Sequence, residues 1–420
     1  MFKRFTLFIL FLGLTAHAFS QASTVTVRIL DADSKRGIEK AHVVISNNSK
    51  VVAQGLTNPS GFWELPLQAT ETYQIIVRHV AYRTAERTFT PKSQANTVVT
   101  FKLIPTSETK EEVIVSGVRV KNNEPGTFTN LTKKEIQGQN AGKDMPYVLE
   151  QSPSVVTYSD AGAGVGYTGM RIRGVDATRI NVTLNGIPYN DAEAHGVFWV
   201  DMPDLASSVN SVQIQRGVGT STNGSSAFGA SVNVKTDHIN EKRFGSAEIG
   251  LGSFGTRRVT AQLGSGIGLS GWGAQARVSL IQSDGFVDRA SSDLLAGFFT
   301  IAHYGKKSLF KVNALLGKEI TYQSWYGTPQ PKFEGDTTEL NRYISQLWIG
   351  GEDLTNLLES DRSTYNYYTY ADQVDNYMQN HFQSFYSYAF NSKTKGNVGL
   401  NYTRGLGYFE QFKAGDDYSD

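Results

Sequence analysis

The feature that most constrains the fold of this sequence is a series of long alternating runs that begins near residue 243. In "TRRVTAQLG" and "GAQARVSLI", polar side chains occupy every second position, and small or apolar side chains lie between them. Successive side chains of a strand point to opposite faces, so each run predicts one polar and one apolar face. Runs of about ten such residues, joined by turns as short as "GKK", are typical of membrane-spanning β-barrels. A water-soluble β-sandwich is the alternative, but it favours fewer glycines than the 41 of this chain.

About seven barrel strands fit between residues 241 and 420, and a polar, tyrosine-rich interval separates "GKEITY" from "VDNYMQNHF". This interval predicts an extracellular loop, because the outer loops of such barrels are long and their periplasmic turns are short. Bacterial single-chain barrels have even numbers of strands. We therefore expect residues 241–420 to be the N-terminal part of a larger outer-membrane β-barrel, truncated in this sequence.

The N-terminus predicts the compartment of the protein. The basic "MFKR" precedes the apolar run "FTLFILFLGLT", which is too short to span a bilayer, and the cleavage pattern "AHA" follows. This order is typical of a secretory signal peptide, which we assign to residues 1–21, with cleavage after Ala18 or a few residues later. A short membrane anchor is the alternative. No later segment approaches 18 consecutive apolar residues, so a mature chain that enters a membrane must do so as a barrel.

The region between the signal peptide and the barrel divides into three parts. Residues 24–104 hold about seven short β-branched or aromatic runs separated by turn formers, which predicts a small β-sandwich. Residues 105–120 form a polar linker that ends in the strand-prone "EEVIVSGVRV". Residues 121–240 are glycine-rich, with short strands and a short helix near Lys143–Gln151 that Asp144 or Lys143 opens. The fold class is therefore all-β dominated: a sandwich, a small mixed α/β domain and the first barrel strands.

Composition and motifs exclude several classes of function. The 40 basic and 39 acidic residues create no net field for nucleic acid, and the lack of cysteine excludes thiolate zinc sites and cysteine nucleophiles. "GVGYTG" matches a dinucleotide-binding loop, but a strand follows where that site needs a helix. We expect no enzyme activity, no catalytic residue and no cofactor. The alternative is a secreted peptidase that binds zinc at His238 and Glu241 of "HINE".

The segment "NVTLNGIPYNDAEAHGVFWV", residues 181–200, places Asp191, Glu193 and His195 two residues apart. On a continuous strand the three side chains would share a face and could bind a metal ion. The strand pattern stops at the Asn-Gly turn, however, and Pro188 interrupts a returning strand, which also argues against a simple two-residue hairpin. A metal site, a purely structural loop and a ligand-facing loop remain open, and the ligand-facing loop is the interpretation we favour.

Three blocks resemble the plug of TonB-dependent outer-membrane receptors in order and spacing. They are "VLEQSPSVV", "MRIRGVDATRINVTLNGIPYND" and "LASSVNSVQIQRGVGTSTNGSSAFGASVNVKT", and the resemblance covers roughly residues 110–420. The chain departs from the family pattern at Asn185, where Asp is commoner, and at Gln213 and Gln215, where an acid is usual. Residues 24–104 resemble the carboxypeptidase regulatory-like (transthyretin-like) domain through "DADSKRGIEKAHVVI", "TNPSGFWEL" and "VRHVAYRT".

The resemblance implies TonB-dependent uptake of a scarce ligand across the bacterial outer membrane, with the sandwich and the linker in the periplasm. The implied partners are TonB with its inner-membrane energising complex, outer-membrane lipid and a small-molecule ligand, and no nucleic acid. "EEVIVSGVRV" is similar to the TonB box, since an exposed extended segment can add as a strand to a partner's sheet edge. An edge strand of the sandwich is the alternative. The predicted TonB box comprises Glu112, Val113, Ile114, Val115, Ser116 and Gly117.

By the same resemblance, the loops of the plug near residues 158–160, 176–179 and 189–199 face the extracellular side. The predicted ligand contacts in these loops are Tyr158, Asp160, Arg179, Tyr189, Asp191, Glu193, His195 and Trp199. Charges in the three blocks are expected to pair with the barrel wall, because a plug lies in a polar lumen. These predicted contacts between plug and barrel are Glu150, Arg171, Arg173 and Arg216.

The ligand class is the least constrained part of the prediction. We favour a ferric siderophore or other ferric chelate, since the plug is compact and lacks the long insertions of the glycan-import branch. An oligosaccharide is the runner-up, because that branch often carries the regulatory-like domain. Cobalamin and haem remain open, with His195 as the candidate haem contact. The alternative of a different class is an adhesion or signal-coupling receptor that the barrel anchors in the outer membrane.

Overall fold

The computed structural model describes residues 22–413 except 33, 70, 80–81, 93–95, 105–117, 121–125, 219–227, 269, 306 and 392–393. The chain divides into two compact units, with the boundary between residues 108 and 109. The predicted signal peptide and the predicted TonB box both lie outside the described residues.

The N-terminal unit is a sandwich of two sheets. Its strands are β1 (Ala22–Asp31), β2 (His42–Asn47), β3 (Lys50–Leu56), β4 (Phe62–Gln68), β5 (Tyr73–His79), β6 (Tyr82–Phe89) and β7 (Thr97–Leu103). One sheet has the order β4-β1-β7 and the other β3-β2-β5-β6. Alternate residues of the strands, among them Val27, Ile45 and Ile75, are fully buried between the sheets. The predicted seven-stranded sandwich is confirmed.

The second unit begins with the plug, residues 118–240 as far as they are described. Its elements are β8 (Thr127–Thr132), α1 (Lys133–Gln139), α2 (Met145–Leu149), β9 (Val155–Ser159), β10 (Thr168–Ile172), β11 (Ile180–Leu184), β12 (Ile187–Pro188), β13 (Val209–Arg216) and β14 (Ala230–Thr236). Five strands form a sheet of order β12-β11-β14-β13-β8, and β9 and β10 form a separate hairpin. β11 and β14 are parallel, whereas β13 is antiparallel to both of its neighbours.

Local sequence explains both plug helices. Thr132 and Glu135 cap α1 reciprocally: the backbone N–H of Thr132 donates to Glu135 Oε2 at 2.7 Å, and the hydroxyl of Thr132 accepts from the N–H of Glu135. This capping box satisfies two backbone donors that the first helical turn leaves unpaired. Asp144 precedes α2, and Pro146 lies in its first turn, where a missing N–H costs nothing. The predicted helix near Lys143–Gln151 is therefore confirmed over a shorter span.

The rest of the second unit is a seven-stranded antiparallel sheet that we call the wall. Its strands are β15 (Arg243–Leu251), β16 (Arg257–Ile267), β17 (Trp272–Ser283), β18 (Ser292–Tyr304), β19 (Ser308–Tyr322), β20 (Val374–Ala389) and β21 (Lys395–Phe409). Each strand pairs with the next, and among the described residues β15 and β21 each pair on one side only. In β17 the apolar Val278 and Leu280 are exposed while Arg277 and Ser279 are buried against the plug. This polar-in, apolar-out order matches the predicted barrel strands.

The connections of the wall differ in length at its two ends. β18 ends at Tyr304 and β19 begins at Ser308, and β20 ends at Ala389 and β21 begins at Lys395, so these connections at one end are short. At the other end, residues 323–373 form a long loop. The long loop contains α3 (Gln330–Glu334), α4 (Thr337–Leu347) and α5 (Gly351–Glu359). Within the described part of the chain, no helix is long and apolar enough to cross a membrane.

Candidate functional site

The segment 181–200 folds as a minimal hairpin followed by a loop. β11 pairs with β12 at Leu184 and Ile187, and the residues between them, Asn185 and Gly186, have φ angles of 56° and 81°. Positive φ at both central positions defines the type I′ turn that Asn-Gly favours. The argument from Pro188 against a two-residue hairpin was wrong, because the pairing ends at that residue and needs no further N–H.

Asn185 joins the plug to the wall. Its side-chain Nδ2 donates to Gln383 Oε1 at 2.8 Å, and its Oδ1 accepts from the backbone N–H of Thr236 at 2.9 Å. An amide can donate and accept at once, whereas a carboxylate only accepts. This double role gives a physical reason for Asn at a position where the family more often has Asp.

The loop after the hairpin is closed by its own hydrogen bonds. The Asp191 carboxylate accepts from the N–H groups of Glu193 and Ala194 at 2.8 and 2.6 Å, and His195 has a φ of 57°. The side chain of Asn190 donates to the carbonyl of Ile180, at the start of β11. The loop therefore lies at the opposite end of β11 from the Asn-Gly turn. Among the described residues, no group of three His, Cys, Asp or Glu side chains could hold a metal ion.

A cavity of about 210 Å³ lies between this loop and the wall. Tyr189 and Asp191 line it from the plug, and Gln379 and His381 line it from β20. The side chain of Gln379 donates to the Tyr189 hydroxyl at 2.9 Å, and the rings of Tyr189 and His381 lie 4.9 Å apart. Two of the predicted ligand contacts, Tyr189 and Asp191, thus face one cavity.

The other predicted ligand contacts are more scattered. Glu193 and His195 are exposed on the loop, and Tyr158 is half-exposed on β9. The guanidinium of Arg179 stacks over the Phe228 ring at 5.1 Å. Burial raises the pKa of Asp160 to about 6. Trp199 is only 4% exposed and packs in the plug core, and its ligand contact stays a prediction.

A second cavity, about 610 Å³ in volume, is formed mainly by the long loop. We call it the aromatic cleft, and its ring-bearing lining residues are Trp325, Tyr326, Tyr343, Tyr365, Tyr367, Tyr368 and Phe412. Tyr326 and Tyr368 are stacked with centroids 5.5 Å apart. Gln373, Gln411 and Lys413 supply polar groups. The sequence analysis noted the tyrosine-rich interval but singled out no residue in it, although "SWYG" and "YNYYTY" carried the signal.

The aromatic cleft and the plug meet at Tyr167. The Tyr167 ring lies edge-on to Trp325 at 5.8 Å, and its hydroxyl donates to the Asp375 carboxylate at the start of β20. Burial, followed by the nearby charge of Glu319, raises the pKa of Tyr167. The backbone N–H groups of Phe286 and Val287 in a wall loop donate to the Ala161 carbonyl of the plug. Plug loops and wall loops therefore meet at the end of the wall that carries the long loop.

A buried charged contact between plug and wall is formed by Asp204, which is 2% exposed. Its carboxylate pairs with Arg277 at 2.7 Å and with Arg258 at 3.1 Å, and it also accepts from the Ser279 hydroxyl. Burial alone would raise the pKa of Asp204, but the two guanidinium groups together hold it below its usual value. This contact was not predicted, because Asp204 lies outside the three motif blocks and no local pattern marks its charge.

A different environment surrounds Asp201, three residues before Asp204. Asp201 is buried and hydrogen-bonded to Glu319, with Asp375 also nearby. Burial, and then the charge of Asp375, raises the pKa of Asp201 to about 7. Several carboxyl groups therefore lie close together in this part of the boundary, which disfavours their full ionisation.

The charges predicted to contact the barrel lie elsewhere on the plug. Glu150, Arg171 and Arg173 are exposed, and Arg216 donates to the Thr129 hydroxyl at 2.6 Å within the plug sheet. Their contact with a barrel wall stays a prediction. The same holds for the TonB box, which lies outside the described residues.

Comparison with protein families places two domains on the chain. Residues 24–104 match the carboxypeptidase regulatory-like domain, and residues 120–231 match the TonB-dependent receptor plug domain. The first match coincides with the sandwich. The second covers the plug sheet from the end of the linker to the start of β14.

Comparison with individual proteins agrees with these matches. The vitamin B12 transporter BtuB of Vibrio cholerae is 24% identical over 302 residues, which cover 66% of this chain and 48% of that protein. The closed form of the ferric-catecholate import receptor Fiu from E. coli K12 superposes with a TM-score of 0.54, at 16% identity over 71% of this chain and 40% of Fiu. The ferripyoverdine receptor of Pseudomonas aeruginosa superposes with a TM-score of 0.51, at 12% identity over 72% of this chain and 38% of that receptor. The chain spans about half the length of its curated relatives.

Proposed function

Because residues 120–231 match the TonB-dependent receptor plug domain, we propose that the chain is a TonB-dependent receptor that serves uptake of a ferric siderophore or other ferric chelate across the bacterial outer membrane. Receptors of this family work with TonB and bind small-molecule ligands. In this proposal the sandwich and residues 111–117 lie in the periplasm. The long loop of residues 323–373 lies outside the cell, because outer loops of such barrels are long.

The observation that carries the proposal is the meeting of plug and wall around two cavities, the aromatic cleft at the long-loop end of the wall and the smaller cavity against the middle of β20. Ligand sites are concave, mostly apolar and furnished with a few polar groups. The aromatic cleft has this character, and Tyr167 connects it to the plug. A ligand held in the cleft would therefore contact Trp325, which packs against the plug residue Tyr167.

Siderophore receptors among the proteins of similar fold support a ferric chelate, and so does a cleft rich in rings with Lys413 at its edge. Planar aromatic groups stack on such rings. The cleft also offers the amides of Gln373 and Gln411, which suit the hydroxyl groups of a sugar. An oligosaccharide is therefore the second candidate ligand.

Growth of a deletion strain tests the function. The intact gene should restore growth on ferric siderophores as the iron source, and a form lacking residues 111–118 should not. Restored growth on cobalamin or on defined glycans, and not on ferric chelates, would replace the proposed ligand. Uptake that persists without residues 111–118 would contradict the TonB-dependent mechanism and favour the adhesion or signalling alternative.

A substitution in the cleft tests the site. We expect Trp325→Ala to weaken binding of the growth-supporting ligand roughly 10-fold, the effect of losing one aromatic anchor of about 1.4 kcal/mol. Trp272→Ala is the matched control, since Trp272 is a half-exposed tryptophan of β17 that does not line the cleft. Equal binding by both variants would place the ligand elsewhere, with the cavity beside Tyr189 as the next candidate.

A further inference from the structure

One face of the plug sheet carries a row of four polar side chains, three of them buried and the fourth, Asn130 at the sheet edge, exposed. Thr183 of β11, Asn233 of β14, Gln213 of β13 and Asn130 of β8 are register partners across four adjacent strands. The Thr183 hydroxyl donates to Asn233 Oδ1 at 2.7 Å, and Gln213 Nε2 donates to Asn130 Oδ1 at 2.9 Å. Buried polar groups are costly unless they are paired, so a row of this kind calls for a partner on its open side.

Residues 118–120 lie on this row, immediately after the predicted TonB box. The amide of Gln213 accepts from the backbone N–H of Val120 at 2.8 Å and donates to its carbonyl at 3.0 Å. A side-chain amide thus makes the pair of hydrogen bonds that a neighbouring strand would make. Asn233 Nδ2 adds a donation to the Val118 carbonyl at 3.4 Å.

The side chain of Arg119 also attaches residues 118–120 to the plug sheet. Its Nη1 donates to the Ser211 hydroxyl at 2.9 Å, and its Nη2 donates to the carbonyls of Ser211 and Asn233 at 3.0 and 2.8 Å. The planar guanidinium fork therefore bridges β13 and β14, two inner strands of the sheet. The register of β13 against β14 shifts next to this point, between Val209 and Ser211.

We propose that Arg119, Gln213 and Asn233 form a clamp that delivers a pull on residues 111–117 to the two inner strands β13 and β14. Without the clamp, the pull would reach the sheet along the chain at β8, which is an edge strand. The clamp also touches the ligand side of the plug: Thr183 lies on β11, and the next residue, Leu184, lines the 210 Å³ cavity. This inference rests on the proposed function only for the identity of the pulling partner.

Thiol labelling tests whether the clamp holds the segment. The chain has no cysteine, so Val118→Cys creates a unique thiol in the full-length protein in outer-membrane vesicles. Gln213→Met keeps the side-chain volume and removes both hydrogen bonds to Val120, and it should raise the maleimide labelling rate about 5- to 30-fold. Thr168→Val is the matched control, because it removes a buried plug hydrogen bond to Asp144 outside the row.

The labelling outcomes separate the alternatives. Faster labelling with Gln213→Met and an unchanged rate with Thr168→Val support the clamp. An equal rise in both variants would mean general loosening of the plug, and no rise in either would mean that the segment is held by other contacts; both results overturn the proposal. If Gln213→Met fails to assemble, Arg119→Lys removes the bridging fork while keeping the charge, and the same comparison applies.

A mechanical measurement tests the path of the force. The full-length protein is pulled through a tether on Ser116→Cys. Its first unfolding event should occur at a lower force in Gln213→Met than in Thr168→Val. Equal forces for this event would overturn the proposed path. Because the tether replaces the partner, this result does not depend on TonB, whereas the growth test of the proposed function does. The two proposals can therefore fail separately.

Discussion

Asp201 and Asp204 are three residues apart on the plug, and both are buried at its boundary with the wall, yet their surroundings are opposite. Asp204 faces the guanidinium groups of Arg258 and Arg277, which hold its pKa below the usual value despite burial. Asp201 faces other carboxyl groups, and burial together with the charge of Asp375 raises its pKa to about 7. One boundary thus contains a buried carboxylate with two cationic partners and a second buried carboxyl group with a raised pKa.

The different surroundings of Asp204 and Asp201 suggest different roles for them in the contact between plug and wall. A buried carboxylate with two buried cationic partners stays ionised through the neutral pH range, so the Asp204 contact anchors the plug under all physiological conditions. The environment of Asp201 disfavours its ionisation, and it lies near Tyr167, whose ring packs against Trp325 of the aromatic cleft. The anchor is therefore separate from the part of the boundary nearest to the proposed ligand site.

The largest effect should come from removing the anchor. Asp204→Asn removes the buried carboxylate that two guanidinium groups share, and we expect a loss of roughly 3–5 kcal/mol in the free energy of unfolding. The φ of 50° at this position tolerates Asn, so backbone strain does not confuse the result. Unfolding of the full-length protein in detergent micelles measures the change. A loss below about 1 kcal/mol would show that the plug is anchored elsewhere.

The contribution of Asp201 to stability should depend on pH with a defined sign. The folded-state pKa of Asp201 lies above the ordinary value of 3.8, so the folded state binds the proton more tightly than the unfolded chain does. Its contribution to stability is complete below about pH 4 and is lost as the pH rises to about 7. Asp201→Asn should therefore stabilise the protein by roughly 4 kcal/mol at pH 8 and change little at pH 4. Thermal unfolding of both proteins at the two pH values tests this, and equal differences at both would contradict it.

The same two aspartates show how much the sequence could predict. Local patterns predicted the alternating wall strands, the sandwich and the helix after Asp144, because each depends on neighbours a few residues away. The partners of Asp204 are 54 and 73 residues distant in the chain. Alternation predicted that Arg277 faces inward, but the meeting of one plug carboxylate with two wall arginines depends on strand register and on how the plug is seated.

The candidate site was predicted only in part, because it also combines residues that are distant in the chain. The loop that contains Tyr189 and Asp191 was found from its motif block, and both residues line one cavity. The burial of Trp199 was not predicted, because an aromatic residue next to a loop is compatible with exposure as well as with core packing. The aromatic cleft was missed as a site, since its lining comes from residues 325–413 and forms only when the long loop folds.

The smallest expected effect isolates burial as the property that distinguishes the anchor. Arg258 also contacts Glu248 at 3.4 Å, but the Glu248 side chain is 63% exposed, whereas that of Asp204 is 1% exposed. Exposed ion pairs contribute little, because water and salt screen them. Glu248→Gln should therefore change the free energy of unfolding by less than about 0.5 kcal/mol in the same unfolding measurement. If it destabilised the protein as much as Asp204→Asn, the total charge around Arg258 and not the buried position of its partner would hold the plug.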